Sequence, residues 1–135
     1  MKKDNLTWSD AEVKFMEALL LATGGEGGAA LKDTLLMADA IDGTVFEYKE
    51  LELALYKLAA IGYLEVQKNK LYLTNAFRVE YEAAVSGVPE ISDKERISEL
   101  LNCHNLIDSQ IGTAEEQLKK YKLKNHYQQY QEQFG

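Results

Sequence analysis

The chain has 135 residues, of which 46% are hydrophobic and 27% are charged, and 22 acidic residues against 15 basic ones give it a net charge of −7. This composition is typical of a globular protein and excludes a disordered chain, while the single cysteine excludes an internal disulfide bond. The longest apolar run, residues 18–22, is too short to cross a membrane, and residues 1–5 lack the apolar stretch of a signal peptide. We therefore expect a cytoplasmic protein without a membrane span, whose acidic surface repels nucleic acids unless a local basic patch attracts them.

The first predicted element is a helix with a well-marked start. Ser9 lies three residues before Glu12, which is the spacing of a capping box, and apolar residues then recur at helical spacing to about Thr23. Four glycines in residues 24–28 end this helix. A phosphate-binding loop would need a Lys-Ser or Lys-Thr pair after the last glycine, and its absence favours a flexible turn between two helices.

Two further helices are predicted before residue 63. The second covers about residues 30–41. The third begins with another capping box, formed by Thr44 and Glu47, and keeps apolar residues at intervals of three and four as far as Ile61. Gly62 is suited to the left-handed conformation that commonly ends a helix.

The hydrophobic pattern then changes from helical to alternating. Residues 63–67 alternate, and residues 71–74 are rich in strand-forming types. The polar residues Lys68, Asn69 and Lys70 lie between them and have the length of a hairpin connection. We predict a two-stranded antiparallel hairpin, followed by a short helix.

Three helices followed by a β-hairpin resemble the winged helix-turn-helix family, and the likeness is most detailed over residues 51–74. Its parts are a leucine-rich helix end, Gly62 with the aromatic Tyr63 after it, a first strand, a turn at residues 68–70, and a second strand that closes on Leu-Thr. Within this superfamily the chain is similar to MarR- and PadR-like bacterial transcriptional regulators. The resemblance implies a mainly α-helical fold with a small β-hairpin, in which residues 6–85 form a winged helix-turn-helix domain.

The resemblance also implies a function. In winged helix-turn-helix regulators the N-terminal half of the third helix enters the major groove, and the hairpin, called the wing, contacts phosphates or the minor groove. We therefore expect the protein to bind duplex DNA. The residues expected at this interface are Thr44, Tyr48 and Lys49 near the bases, and Lys68, Asn69 and Lys70 on the phosphates.

The charges on the third helix favour a second interpretation. Its leading residues include Glu47, Glu50 and Glu52 against the single cation of Lys49, and no arginine precedes Arg78. Related regulators typically offer arginine, lysine or uncharged polar residues there, and carboxylates would be repelled by the phosphates of DNA. The alternative is therefore a winged-helix protein-interaction module whose acidic face binds a basic protein partner and does not bind DNA.

The C-terminal third is predicted to form a dimerisation segment. Residues 86–92 hold the only proline and are the expected linker, and Ser92 with Glu95 has the spacing of another capping box. Beyond them apolar residues recur at alternating intervals of three and four, which is the heptad pattern of a coiled coil. The members of this seam are Ile97, Leu100, His104, Ile107, Ile111, Ala114, Leu118 and Tyr121. We predict that residues 93–134 form a coiled-coil-like segment and that the chain is a homodimer.

Three arrangements would cover this seam. One is a single long helix that pairs with its copy in a second subunit. Another is a helical hairpin broken near Gly112, where Thr113 and Glu116 offer a further capping box. The third is a helical stripe folded back against the chain's own first domain.

The sequence contains no recognisable catalytic or metal-binding constellation. His104 and Cys103 are adjacent, so on a helix they point about 100° apart, and the only other histidine is His126. A structural zinc site needs four such ligands, and the carboxylates form no recognisable acid–base pair. We expect the protein not to be an enzyme and to carry neither a metal nor another cofactor.

Overall fold

The computed structural model describes residues 8–24, 27–87, 90–104, 106 and 108–134. The helices within them are α1 (Asp10–Thr23), α2 (Leu31–Asp42), α3 (Tyr48–Ala60), α4 (Asn75–Gly87), α5 (Asp93–Asn102), α6 (Asp108–Leu118) and α7 (Leu123–Phe134), with one 3₁₀ turn at Lys119–Tyr121. The strands are β1 (Gly28–Ala29), β2 (Leu64–Gln67) and β3 (Lys70–Leu73). The prediction of a mainly helical fold with a small β-hairpin is confirmed. No described helix is both long enough and apolar enough to span a membrane.

The three strands form one antiparallel sheet in the order β1-β3-β2. The predicted hairpin is present, with Leu64 opposite Leu73. The prediction missed β1, because its two residues lie at the end of the glycine-rich stretch expected to be only a turn. Gly28 is opposite Tyr72, and a Cβ atom on Gly28 would lie 2.6 Å from a carbon of that ring. The glycine therefore allows β1 to approach β3 under the tyrosine ring.

The start of α1 is the predicted capping box. The Ser9 N–H group donates to Glu12 Oε1 at 2.6 Å, and α1 ends at Gly24 in the left-handed conformation. Glu12 is also buried, and its other carboxylate oxygen lies 3.4 Å from Lys57 Nζ on α3. The capping residue therefore also ties the start of α1 to the third helix.

The predicted start of α3 is wrong. Its N-cap is Glu47, which forms a capping box with Glu50, and Thr44 lies in the preceding turn. Both the N–H group and the hydroxyl of Thr44 donate to the side chain of Asp42. This local bond holds Thr44 in the turn, so the helix begins later, at Tyr48. Its predicted end is confirmed, because Gly62 has a φ of 81°.

The C-terminal segment is neither one long helix nor a hairpin broken at Gly112. It forms α5, α6 and α7, and Gly112 lies inside α6. The predicted cap of α5 is present, because Ser92 Oγ accepts a hydrogen bond from the Glu95 N–H group at 3.1 Å. Helix α5 ends at Asn102, and Lys122, which has a φ of 58°, lies just before α7. The three helices pack against different partners, α5 against α1, α6 against α3 and α7 against α2.

The chain's own helices cover part of the predicted dimer seam. Ile97, Leu118 and Tyr121 have exposed fractions of 0%, 8% and 2% and belong to the same core as α1, so a second subunit would not reach them in this arrangement. Three other seam residues are partly exposed: Leu100, His104 and Ile111. Ile107 lies outside the described residues. Homodimer formation stays a prediction, but the buried residues Ile97, Leu118 and Tyr121 cannot form its interface in this arrangement.

Candidate nucleic-acid interface

The most accessible part of the predicted interface is the hairpin tip, residues 68–70. Lys68 and Asn69 form the two-residue connection and have φ values of 49° and 67°. Positive φ at both positions matches the twist of the flanking strands, and asparagine tolerates it better than most residues do. Lys68, Asn69 and Lys70 are all exposed. The hairpin therefore presents two ammonium groups and an amide to solvent.

The start of α3 presents mixed charge. Lys49 is exposed, as the prediction requires, but Glu47 and Glu50 on either side of it are exposed as well. Tyr48 is only partly exposed, and its hydroxyl donates to Glu52 Oε2 at 3.2 Å. Burial, and after it the charge of Glu52, raises the pKa of Tyr48, so its phenol stays protonated and acts as a donor.

Thr44 is not free to contact a base. It is partly buried, and its hydroxyl donates to Asp42. This hydrogen bond lowers the pKa of the Asp42 carboxyl group, which keeps the acceptor ionised. Of the three residues predicted to approach bases, Lys49 alone combines exposure with a side chain for which no competing bond is described.

Helix α7 lies against the start of α3. The hydroxyl of Tyr127 donates to the backbone carbonyl of Phe46 at 2.6 Å, and its ring centre is 5.5 Å from that of Tyr48. Tyr130 is 8% exposed and belongs to the core, against which Leu123 and Tyr127 also pack. This contact was not predicted from the sequence. The signal that could have revealed it is the spacing of four and then three residues from Leu123 to Tyr127 and Tyr130, which places all three on one helix face.

One side of α7 faces the start of α3, and the other side faces the hairpin tip. On one side Gln128 lines a cleft of about 450 Å³ together with Tyr48 of α3. On the other side His126 and Gln129 line a cleft of about 500 Å³ together with Asn69 at the hairpin tip. Helix α7 therefore lies between the start of α3 and the hairpin tip.

A separate polar cluster joins the base of the hairpin to the C-terminal helices. The hydroxyl of Tyr63 donates to Glu80 Oε1 and lies 2.9 Å from His104 Nε2. The indole N–H group of Trp8 donates to the carbonyl oxygen of His104 at 3.1 Å. The predicted seam residue His104 therefore packs on the hairpin base. Burial and the bond to Glu80 raise the pKa of Tyr63, which opposes its use as a base or nucleophile, so the cluster is best explained as a structural link.

No other group of side chains in the described part of the chain has the arrangement of a recognisable catalytic or metal-binding site. Among these residues no group of three or more His, Cys, Asp or Glu side chains could hold a metal ion. Comparison of the chain with protein-family models, with curated proteins and with solved structures finds no match.

Proposed function

We propose that the chain is a winged helix-turn-helix transcriptional regulator that binds duplex DNA. The observation that carries this proposal is the hairpin tip, where Lys68, Asn69 and Lys70 are all exposed at a turn of fixed backbone geometry. In this function the tip is the wing and binds phosphates, while Lys49 at the start of α3 approaches the major groove.

The order and packing of the elements support the proposal. Helices α1, α2 and α3 precede the β2–β3 hairpin, as in the family that the sequence resembles, and α1 packs against both α2 and α3. The buried apolar residues of α3, Leu51, Ala54, Leu55 and Leu58, occupy one side of the helix, and Glu47, Lys49 and Glu50 are exposed. A helix held in this way keeps Lys49 on its outer side.

The charges predict weak binding with a definite dependence on salt. Three lysines at the interface would release about three counterions, which corresponds to a slope near −2.7 for log K against log salt. The exposed carboxylates of Glu47 and Glu50 oppose this attraction. We therefore expect an affinity for random duplex in the weak non-specific range, about 10⁻⁴ to 10⁻⁶ M.

The test is a titration of labelled random duplex, first at low salt and then at rising salt. We expect Lys68→Glu combined with Lys70→Glu to weaken binding at least about ten-fold. The matched control is Lys94→Glu combined with Lys119→Glu, which changes the net charge equally at exposed lysines outside the hairpin. Equal losses in both double variants would show that only net charge matters and would reject the wing assignment. Failure of every form of the protein, the unmodified chain and all its variants, to bind at low salt would reject DNA binding.

A second candidate function is a module that binds a basic protein. The observation that favours it is the acidic surface around Val45, which is 66% exposed and lies close to the exposed carboxylates of Asp42, Glu47 and Glu50. This module predicts no duplex binding at any salt. It predicts instead that an oligolysine peptide binds, and that Glu47→Gln combined with Glu50→Gln weakens that binding.

A further inference from the structure

We infer that α7 is an autoinhibitory latch, which lies between the two parts of the surface proposed to bind DNA and has to move before one duplex can contact both of them. The inference rests on the proposed DNA-binding function. Helix α7 packs against both α2 and α3. It also shares one cleft with Tyr48 and another with Asn69, so it separates the two parts of the protein that would have to contact one duplex together.

The dimensions of a helix and of DNA make the two arrangements exclusive. An α-helix with its side chains is about 10–12 Å wide, and the major groove of B-DNA is about 12 Å wide. The groove therefore accepts one helix. Tyr127 of α7 contacts both Phe46 and Tyr48, so a docked α7 places a second helix beside the start of α3. In this proposal the two helices together are too wide for the groove, and α7 has to move aside.

A small set of contacts among the described residues attaches α7. They are the hydrogen bond from Tyr127, the burial of Tyr130, the packing of Leu123 at the helix start, and the stacking of the His126 ring on Tyr121 with ring centres 4.5 Å apart. The other face of the helix is polar and exposed, with residues such as Asn125, Gln128 and Gln129. Of the α7 side chains that the structure describes, undocking would therefore uncover few apolar ones.

The chain also has a suitable hinge. The 3₁₀ turn at Lys119–Tyr121 precedes Lys122, which has a φ of 58° and a ψ of 53°. This left-handed conformation is uncommon for a residue with a side chain. Rotation there would release α7 while Leu118 and Tyr121, which precede the hinge, stay in the core.

A release variant of the full chain tests the latch. Tyr127→Ala combined with Tyr130→Ala removes the contacts of both tyrosines, the first partly buried and the second buried, without changing the net charge. The matched control, Asn125→Ala, truncates an exposed residue of the same helix that lines neither cleft. Because the apparent dissociation constant is the intrinsic one divided by the open fraction, we expect the release variant to bind random duplex at low salt about ten-fold more tightly than the unmodified chain. The control should bind as the unmodified chain does.

The outcomes separate this inference from the proposed function. Equal and measurable affinities for the release variant and the unmodified chain would overturn the latch and leave DNA binding in place. If neither protein binds, the proposed function is wrong, and the latch is wrong with it.

Hydrogen exchange on the unmodified chain gives an answer even where the release variant fails to fold. Docking and DNA binding exclude each other, so by linkage saturating duplex has to shift α7 towards its undocked state. We expect amide exchange in residues 124–134 to become faster with duplex, while α3 and the hairpin become protected. Unchanged or slower exchange in α7 upon DNA binding would overturn the latch.

Discussion

Helices α1 and α7 have similar lengths, 14 and 12 residues, but they are held in the fold in different ways. Seven residues of α1 are buried, and one of them, Glu12, is paired with Lys57 on α3. Among the described side chains of α7, Tyr130 alone is buried, while Leu123 and Tyr127 are partly covered. The first helix is therefore the centre of the core, and the last is a cover over α2 and α3. We therefore expect α1 to contribute more than α7 to the free energy of unfolding. Of the two helices, α7 can also move more easily without unfolding the core.

The largest expected effect is the loss of a central aromatic side chain. Phe15 is fully buried in α1, and its ring centre is 6.0 Å from that of Phe46. Phe15→Ala should lower the free energy of unfolding by about 3–5 kcal/mol, because a cavity adds to the lost hydrophobic burial. Urea unfolding of Phe15→Ala and of Tyr130→Ala would compare the two helices directly. If α1 is the centre of the core and α7 a cover, Tyr130→Ala should lower the free energy of unfolding clearly less than Phe15→Ala does. Equal losses of stability would contradict this difference between the helices.

A somewhat smaller loss is expected at the ion pair between α1 and α3. Lys57 Nζ lies 3.4 Å from Glu12 Oε2, and the two side chains are 5% and 2% exposed. Lys57→Met should destabilise the fold by about 3 kcal/mol, because it leaves a buried carboxylate without its cation. Lys49→Met at an exposed position is the control and should change stability by less than about 0.5 kcal/mol. Adding Glu12→Gln to Lys57→Met should recover part of the loss, and a further loss in the double variant would mean that the pair is not coupled.

Two glycines should respond to alanine with opposite signs. Gly28 lies in the sheet under the Tyr72 ring, so Gly28→Ala should destabilise the fold by about 1 kcal/mol or more, because the ring has to move. Gly112 lies inside α6 with open space around it, so Gly112→Ala should stabilise the fold by about 0.5–1 kcal/mol. Thermal unfolding of both variants would measure this. A stabilising Gly28→Ala would contradict the close approach of β1 to β3.

Local signals predicted the first half of the chain better than the second. The cap at Ser9, the stop at Gly62 and the alternating pattern of the hairpin each act within a few residues, so sequence alone reveals them. The start of α3 was missed because Asp42 competes for Thr44. The heptad spacing correctly indicated a stripe that has to be buried. Periodicity does not specify the surface that buries it, and part of the stripe packs inside the chain.

Local sequence signals likewise predicted one part of the candidate site and not the other. Exposure of Lys68, Asn69 and Lys70 follows from their place in a two-residue hairpin connection and was predictable. The position of α7 against the start of α3 was not predictable. Its contact joins Tyr127 to Phe46, which are 81 residues apart in the sequence, and no local pattern encodes such a pairing.

The smallest expected effect tests how locally α7 is held. Tyr127→Phe keeps the ring and removes the hydroxyl that donates to the Phe46 carbonyl, a hydrogen bond worth about 0.5–1.5 kcal/mol. Because α7 covers the core without forming its centre, this loss should appear as local opening and not as global unfolding. We expect amide exchange in α7 to become about 2–10 times faster, which is the same free energy expressed as a rate ratio, while exchange in α1 stays unchanged. If α1 and α7 accelerated together, the two helices would open as one unit, and the C-terminal helix would be part of the core and not a cover over it.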